Sequence, residues 1–232
     1  MDRDHCYRYE THMHTREGSA CASSTGKEMA RAHLDAGYTG IFVTDHFFNG
    51  NSAIPRELSW REKVELFCRG YESAKAEGER IGLQVFFGFE YGVSGADFLV
   101  YNLDKQWLLA HEDLDKWDAR QAFREMHQDG GLIIHAHPFR ERNYIDHIQL
   151  YPRDVDGVET VNGAQCGIDF EMNDRACQYA RMFGLPMTAG SDSHHADRLF
   201  GSGVESPVRF AEPADYLRLL RAGELRLLQP GT

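Results

Sequence analysis

The 232-residue sequence predicts an α/β fold in which about seven strands close, or nearly close, into a barrel. Three observations carry that expectation. Short apolar runs alternate with longer amphipathic stretches, the pattern of parallel strands joined by helical crossovers. Histidines and acids recur where those apolar runs end. No GxGxxG follows the first strand and no GxxxxGK[ST] occurs, so an open nucleotide-binding sheet loses its usual support.

The first strand is expected over residues 7–12. Ser24 and Thr25 then offer N-caps for a helix ending near Gly37. TGIFVTDH (39–46) is a buried strand, rich in β-branched and aromatic side chains. Residues 60–79 read as one long helix closed near Gly82, followed by strands in LQVFFGFE (83–90) and DFLVYNL (97–103). A helix over 118–129 ends at Gly130 and Gly131, and LIIHAH (132–137) and VDGVETVN (155–162) are strands. Residues 169–183 form a helix ended by Gly184, and LPMTAGSDSH (185–194) carries the last clear strand. A closing helix over 212–222 and a short edge strand in LRLL (225–228) complete the series. No linker divides the chain, so residues 1–232 are expected to form one domain.

Composition narrows the function classes. The formal charge of −11 opposes a broad nucleic-acid-binding surface, although a local cation cluster still suits a small phosphorylated ligand. No apolar run approaches the roughly 18 residues of a membrane span, and the polar start MDRDHCYRYE is unlike a secretory signal. A cytoplasmic protein without membrane partners is the expectation. The cysteines (Cys6, Cys21, Cys68, Cys166 and Cys177) are scattered with no CxxC pair, which points to free thiols rather than a disulfide framework. Cys21 lies near the first histidines, but no neighbour marks it as a nucleophile.

The strand ends hold the chemistry. His12 and His14 close the first strand, Asp45 and His46 the second, Glu90 the third, His135 and His137 a later one, and Asp192, His194 and His195 follow the last. The C-terminal rim of a parallel barrel is where such groups assemble into sites. Residues two apart on a strand face one side, so His12 and His14 can present two imidazoles to one ion, as can Asp192 with His194. Nitrogen and carboxylate donors suit zinc, manganese or iron, and Glu90 has the chemistry to bridge two of them.

THMHT (11–15), FVTDH (42–46), GFE (88–90), HAHP (135–138) and GSDSH (190–194) occur in this order, and on them the chain resembles the PHP (polymerase and histidinol phosphatase) family. The resemblance implies a distorted, TIM-like (β/α)7 barrel with two or three divalent metal ions at its rim, and phosphoester hydrolysis. It implies that His12, His14, Glu90 and Asp192 hold the first metal, that Glu90 bridges to a second joined by His137, and that His46 and His194 hold a third. Asp45 would orient a ligand imidazole from behind. Two positions depart from the pattern. The segment REGSACAS lacks the usual His or Asp, leaving Glu17 as the nearest candidate ligand, and the strand after Glu90 begins at Asp97 where many members carry histidine.

Around that centre, Arg140, Arg142 and Arg198 are candidate phosphate clamps, with Arg140 preferred, and Asn162 is a candidate hydrogen-bond donor. His135 either faces the site, as an acid for the leaving oxygen, or belongs to the core. His195 is expected to point away, and His5, His33, His111, His127 and His147 to be structural or superficial. The loops 49–59 and 138–152 are expected to shape the pocket. The function expected is hydrolysis of a small phosphomonoester or phosphodiester by metal-activated water, with Asp192, His135 and Arg140 closest to the chemistry. An amidohydrolase-like attack on a C–N bond and a non-catalytic metal-binding regulatory domain are the alternatives.

Overall fold

The computed structural model describes residues 6–143, 145–166 and 170–230. Nine strands form one sheet: β1 (Tyr7–Met13), β2 (Gly40–Val43), β3 (Gln84–Val93), β4 (Ala96–Tyr101), β5 (Leu132–Ala136), β6 (Gly157–Asn162), β7 (Met187–Gly190), β8 (Gly203–Ser206) and β9 (Arg226–Leu228). Their spatial order is β7-β6-β5-β4-β3-β2-β1-β8-β9. The chain just past β7 returns to β1: Asp192 N–H donates to His12 O at 2.7 Å and His14 N–H to Ser193 O at 2.9 Å. Strands β1 to β7 therefore close into a ring at one rim. At the other end of β1, β8 pairs antiparallel with Tyr7–Tyr9, and β9 is the outer edge. This nearly closed α/β barrel agrees with the predicted class.

The local reasons are ordinary ones. Thr25 caps α1 (Gly26–Asp35) in a reciprocal box with Glu28, and Ser59 does the same with Glu62 for α2 (Trp60–Phe67). The single helix expected over 60–79 is two, because the chain turns at Cys68 before α3 (Arg69–Ile81). A short α4 (Lys105–Ala110) was not foreseen, nor were α6 (Gly163–Cys166) and β8. The helices expected at 118–129 and 212–222 appear as α5 (Ala119–Gln128), capped by Asp118, and α8 (Pro213–Ala222). The remaining helix is α7 (Phe170–Phe183), and its expected first residue, Asp169, lies outside the described residues, as does His5. Among the described residues no helix is long and apolar enough to cross a membrane.

Within the ring of β1 to β7, one strand corrects the expectation of a purely parallel sheet. β4 runs antiparallel to both β3 and β5. Ser94 and Gly95, at φ 47° and 93°, make the tight two-residue turn that joins β3 to β4. The reversal brings the start of β4, and with it Asp97, to the rim where β3 ends.

Two bulges set which side chains face inward. Between Glu10 and Met13, β1 carries one residue more than its partner β2. Tyr9 packs on Phe42 and Phe86, whereas beyond the bulge Met13 packs against Met29 and Ala30 of α1. The extra residue thus turns His12 and His14 to the side from which simple alternation after Tyr9 would exclude His12. A second bulge, between Glu159 and Val161 of β6, places Glu159 and Asn162 side by side although they are three residues apart.

Candidate metal centre

The side chains of His12, His14, His46, Glu90, His137 and Asp192 meet at this rim, all buried. Glu90 is the hub. Its Oε2 lies 2.6 Å from His46 Nδ1 and 3.5 Å from His14 Nε2, and its Oε1 3.1 Å from His137 Nε2 and 3.6 Å from His12 Nε2. Asp192 Oδ1 is 3.2 Å from His14 Nε2 and 3.5 Å from His12 Nε2, with His194 Nδ1 at 3.7 Å. His137 and Asp192 both adopt positive φ, 27° and 57°. Non-glycine residues hold that conformation at a cost, and it concentrates at functional sites.

Donor atoms group in four overlapping sets: His12–His14–Glu90, His12–His137–Asp192, Glu90–Asp97–His137 and His14–His46–His194. All seven of the expected ligands besides Glu17 fall into these sets, with His12, His14, Glu90 and His137 each belonging to two. His14 also borders the His46–His194 pair. Asp97 joins Glu90 and His137, and burial followed by the charge of Glu90 raises its carboxyl.

Glu17 does not join them. Its carboxylate accepts from Gly26 N–H at 3.2 Å, at the positive end of α1, which holds it away from the imidazoles.

The surrounding hydrogen bonds fix which nitrogen each imidazole presents. His12 Nδ1–H donates to Glu159 Oε1 at 2.8 Å, leaving Nε2 to face inward. Ser19 Oγ donates to Asp45 Oδ1, so His14 Nδ1–H donates to Ser19 Oγ at 2.9 Å, and Nε2 again faces inward. Asp45 therefore supports His14, but through Ser19. The two Nε2 atoms stand 3.2 Å apart. Two lone pairs at that distance repel unless a cation or proton lies between them, so this donor set fits a metal ion.

Charges respond accordingly. Burial alone would raise Glu90, yet His46, His12 and His137 hold its carboxyl well below the usual range. Burial likewise opposes charge on His12, but Glu159 and Asp192 raise it well above an ordinary imidazole. Burial together with His194 and His46 pushes His14 well below.

Glu159 is the functional residue that sequence reasoning missed. Besides His12 it accepts from the backbone N–H of His137 at 3.0 Å and from Asn162 Nδ2 at 2.9 Å, so one carboxylate orients the His12 ring and pins the backbone that carries His137. A glutamate in the middle of the apolar strand GVETVN was the available signal. Asn162 also reaches Asp192 Oδ2 at 3.5 Å. Gly190 cannot carry a side chain here, because a Cβ would lie 2.5 Å from His12 Cβ and 2.6 Å from Glu159 Oε1.

The outer expectations divide. Arg140 is half-buried beside the centre, its Nη1 3.5 Å from His137 Nε2, and it lines a cavity of about 560 Å³ with Cys21, His46, Asn49, Asp97 and His194. Arg142 lines a separate cavity with Asp146 and His147, and Arg198 stacks on Phe200. His195 bonds Ser23 Oγ, His127 pairs with Asp156, His111 stacks on Trp107 and His33 donates to Met29 O, all outside the cluster.

His135 corrects the proposed acid. It pairs across the sheet with Phe98, stacks on that ring at 4.8 Å, and meets Tyr151 and Tyr179 on the sheet's helix-covered face. Neither ring nitrogen has a hydrogen-bond partner, and burial pushes it down to about 3 from 6.5. The unfolded chain therefore binds the extra proton between those values, and stability contributed here falls as pH drops from 6.5 towards 3, by at most about 1.4 kcal/mol per unit. His135→Phe should leave turnover within about twofold and raise stability by about 1 kcal/mol near neutrality. It should also flatten that acid dependence. Urea midpoints of both proteins near pH 7 and near pH 4.5, with turnover alongside, check all three.

Comparison with known proteins bears on the fold. Residues 170–225 match the PHP-associated family model. No curated protein matches the chain. A two-domain protein from Bacteroides vulgatus, containing a predicted PHP-like metal-dependent phosphoesterase, superposes with TM-score 0.68 at 16% identity over 96% of this chain and 64% of that one. A protein from Bifidobacterium adolescentis described as a metal-dependent phosphoesterase gives TM-score 0.58 at 14% identity, covering 93% and 96% of the two chains. An amidohydrolase from Chromobacterium violaceum, with bound sulfate and no metal, gives 0.51 at 14%, covering 97% and 98%. The chain spans less than two thirds of the length of the Bacteroides protein. In fold, the chain is similar to these PHP-like barrels, and its residues 170–225 match the PHP-associated family.

Proposed function

We propose that the chain is a metal-dependent phosphoesterase, hydrolysing a small phosphomonoester or phosphodiester at a two- or three-metal centre. The observation that supports this most is the buried carboxylate of Glu90 set among four imidazoles, with two inward-facing imidazole nitrogens 3.2 Å apart. His12, His14, Glu90 and Asp192 would hold one ion, Glu90, Asp97 and His137 a second, and His46 with His194 a third. Zinc, manganese or iron fits the nitrogen and oxygen donors. When bound, such ions lower the pKa of water and polarise a phosphoryl oxygen.

The chain's own residues supply the rest. Glu159 and Ser19 fix the tautomers and ring planes of His12 and His14. Arg140 presents a guanidinium at the cavity wall, suited to gripping a non-bridging phosphoryl oxygen in a protein otherwise rich in negative charge. The cavity's size admits a small phosphorylated molecule. The amidohydrolase of similar fold keeps C–N hydrolysis as the alternative.

The test is metal content and identity in the purified protein, followed by a substrate panel on the same sample. Inorganic phosphate or alcohol release from phosphoesters is the expected result. Ammonia or amine release with inert phosphoesters would move the chain to the alternative, and bound metal with neither product would make it a binding domain.

A further inference from the structure

Cys21 has no role in the site described so far. It lines, together with His46 and His194, the wall of the cavity that Arg140 and Asp97 also line. No other cysteine shares that placement: Cys68 is buried in the aromatic cluster around Phe47 and Phe67, Cys6 is exposed at the start of β1, Cys166 contacts Asn173, and Cys177 contacts Met187. His194 Nδ1–H donates to Asp192 O at 2.8 Å, which leaves Nε2 as its donor atom. His14, His46 and His194 already lie close enough to share an ion, but His14 Nε2 is also the nearest nitrogen to Asp192, at 3.2 Å, and belongs to the inner group. That leaves the outer pair short of a third ligand. Glu17, the nearest carboxylate in sequence, is tied to Gly26.

We propose that Cys21 Sγ is the missing ligand, so that His46, His194 and a Cys21 thiolate hold the outermost metal ion at the cavity mouth. The inference rests on the metal-centre reading above and assigns a donor within it. The placement has a physical logic. Sulfur bonds to zinc are about 2.3 Å long, against about 2.0 Å for imidazole, so a short side chain on a loop can complete a set that two imidazoles begin. A coordinating thiol gives up its proton, so the ligand adds one negative charge where His46 and His194 add none. Two imidazoles and one thiolate would leave a tetrahedral ion one open position, and all three residues line the cavity a substrate would enter.

The reading of Cys21 as an unligated nucleophile predicts the same cavity but no metal–sulfur bond. Cobalt(II) separates the two, because thiolate coordination adds a near-ultraviolet charge-transfer band to the visible ligand-field bands. The full chain loaded with cobalt(II) is expected to show both features. Cys21→Ser should lose the near-ultraviolet band and one equivalent of metal per chain, and keep ligand-field bands from the inner positions. Cys6→Ser, the control, should match the parent. Iodoacetamide should label Cys21 in the metal-free chain and be blocked by zinc. A near-ultraviolet band unchanged in Cys21→Ser, or ligand-field bands without any sulfur band in the parent, overturns the assignment and leaves the metal centre standing. Absence of both features overturns the metal centre itself.

Discussion

Glu90→Gln is expected to lower turnover by more than about 100-fold and to remove the metal ions that share this carboxylate, with the fold retained. A residue that merely orients a ligand typically costs 10- to 100-fold, and Glu90 stands one layer closer in. Its two oxygens address different imidazoles, Oε2 facing His46 and His14 and Oε1 facing His137 and His12. Glutamine keeps the shape but loses the charge, and turns one of those oxygens into a donor aimed at imidazole nitrogens. Metal analysis and turnover on the same preparation check this, and a full metal complement in the variant would end the bridging role. The metal-free proteins give a second readout. Glu90 titrates well below 4.5 in the folded chain, so its charge stabilises the fold above that value and the contribution is lost as pH falls towards the folded pKa. Without metal, Glu90→Gln should therefore be less stable than the parent at neutral pH, and the gap should narrow in acid.

Asp45→Ala is expected to cost about 3 kcal/mol of stability and to weaken metal binding about 10- to 100-fold. Asp45 accepts from Thr15 N–H at 2.6 Å, Thr15 Oγ1 at 2.6 Å and Ser19 Oγ at 2.8 Å, all buried. Alanine strands three donors, and each unsatisfied group carries a cost of its own. The metal effect travels through Ser19, which also holds His14 Nδ1 and the backbone N–H of His46. Gly18 shows how closely the carboxylate is packed, since a Cβ there would lie 2.5 Å from Asp45 Cγ. Asp45→Asn keeps that packing and should fall between parent and alanine in denaturant midpoint and zinc affinity. An alanine variant with unchanged zinc affinity would show that Ser19 positions His14 unaided.

What the sequence made legible was the rim. Histidines and acids at strand ends are visible as letters, because alternation and strand length are local properties. His12, His14, His46, Glu90, His137, Asp192 and His194 were placed together on that basis and on the family resemblance. The errors lie where geometry is not local. His135 and His137 fall in one expected strand, yet β5 ends before His137, whose positive φ turns that side chain to the centre while His135 stays with Phe98. Glu17 follows His14 closely but is drawn to a helix end that forms only when α1 does. Glu159 depends on a bulge in β6, and Asp97 on the reversal of β4, neither of which periodicity reveals.

The double engagement of β1 has a consequence for how the chain assembles. Its first half pairs with β8 and its last residues with the segment after β7, so both partners are made late in synthesis and far away in sequence. Closing so long a loop is entropically costly and comes before any reward from the contact, which slows folding. His12 and His14 therefore wait, unpaired with Asp192, until the segment after β7 has emerged. A newly made chain stalled before residue 187 would present the HxH pair without its carboxylate partner. Metal would then bind last, acting as a latch between β1 and the segment that follows β7.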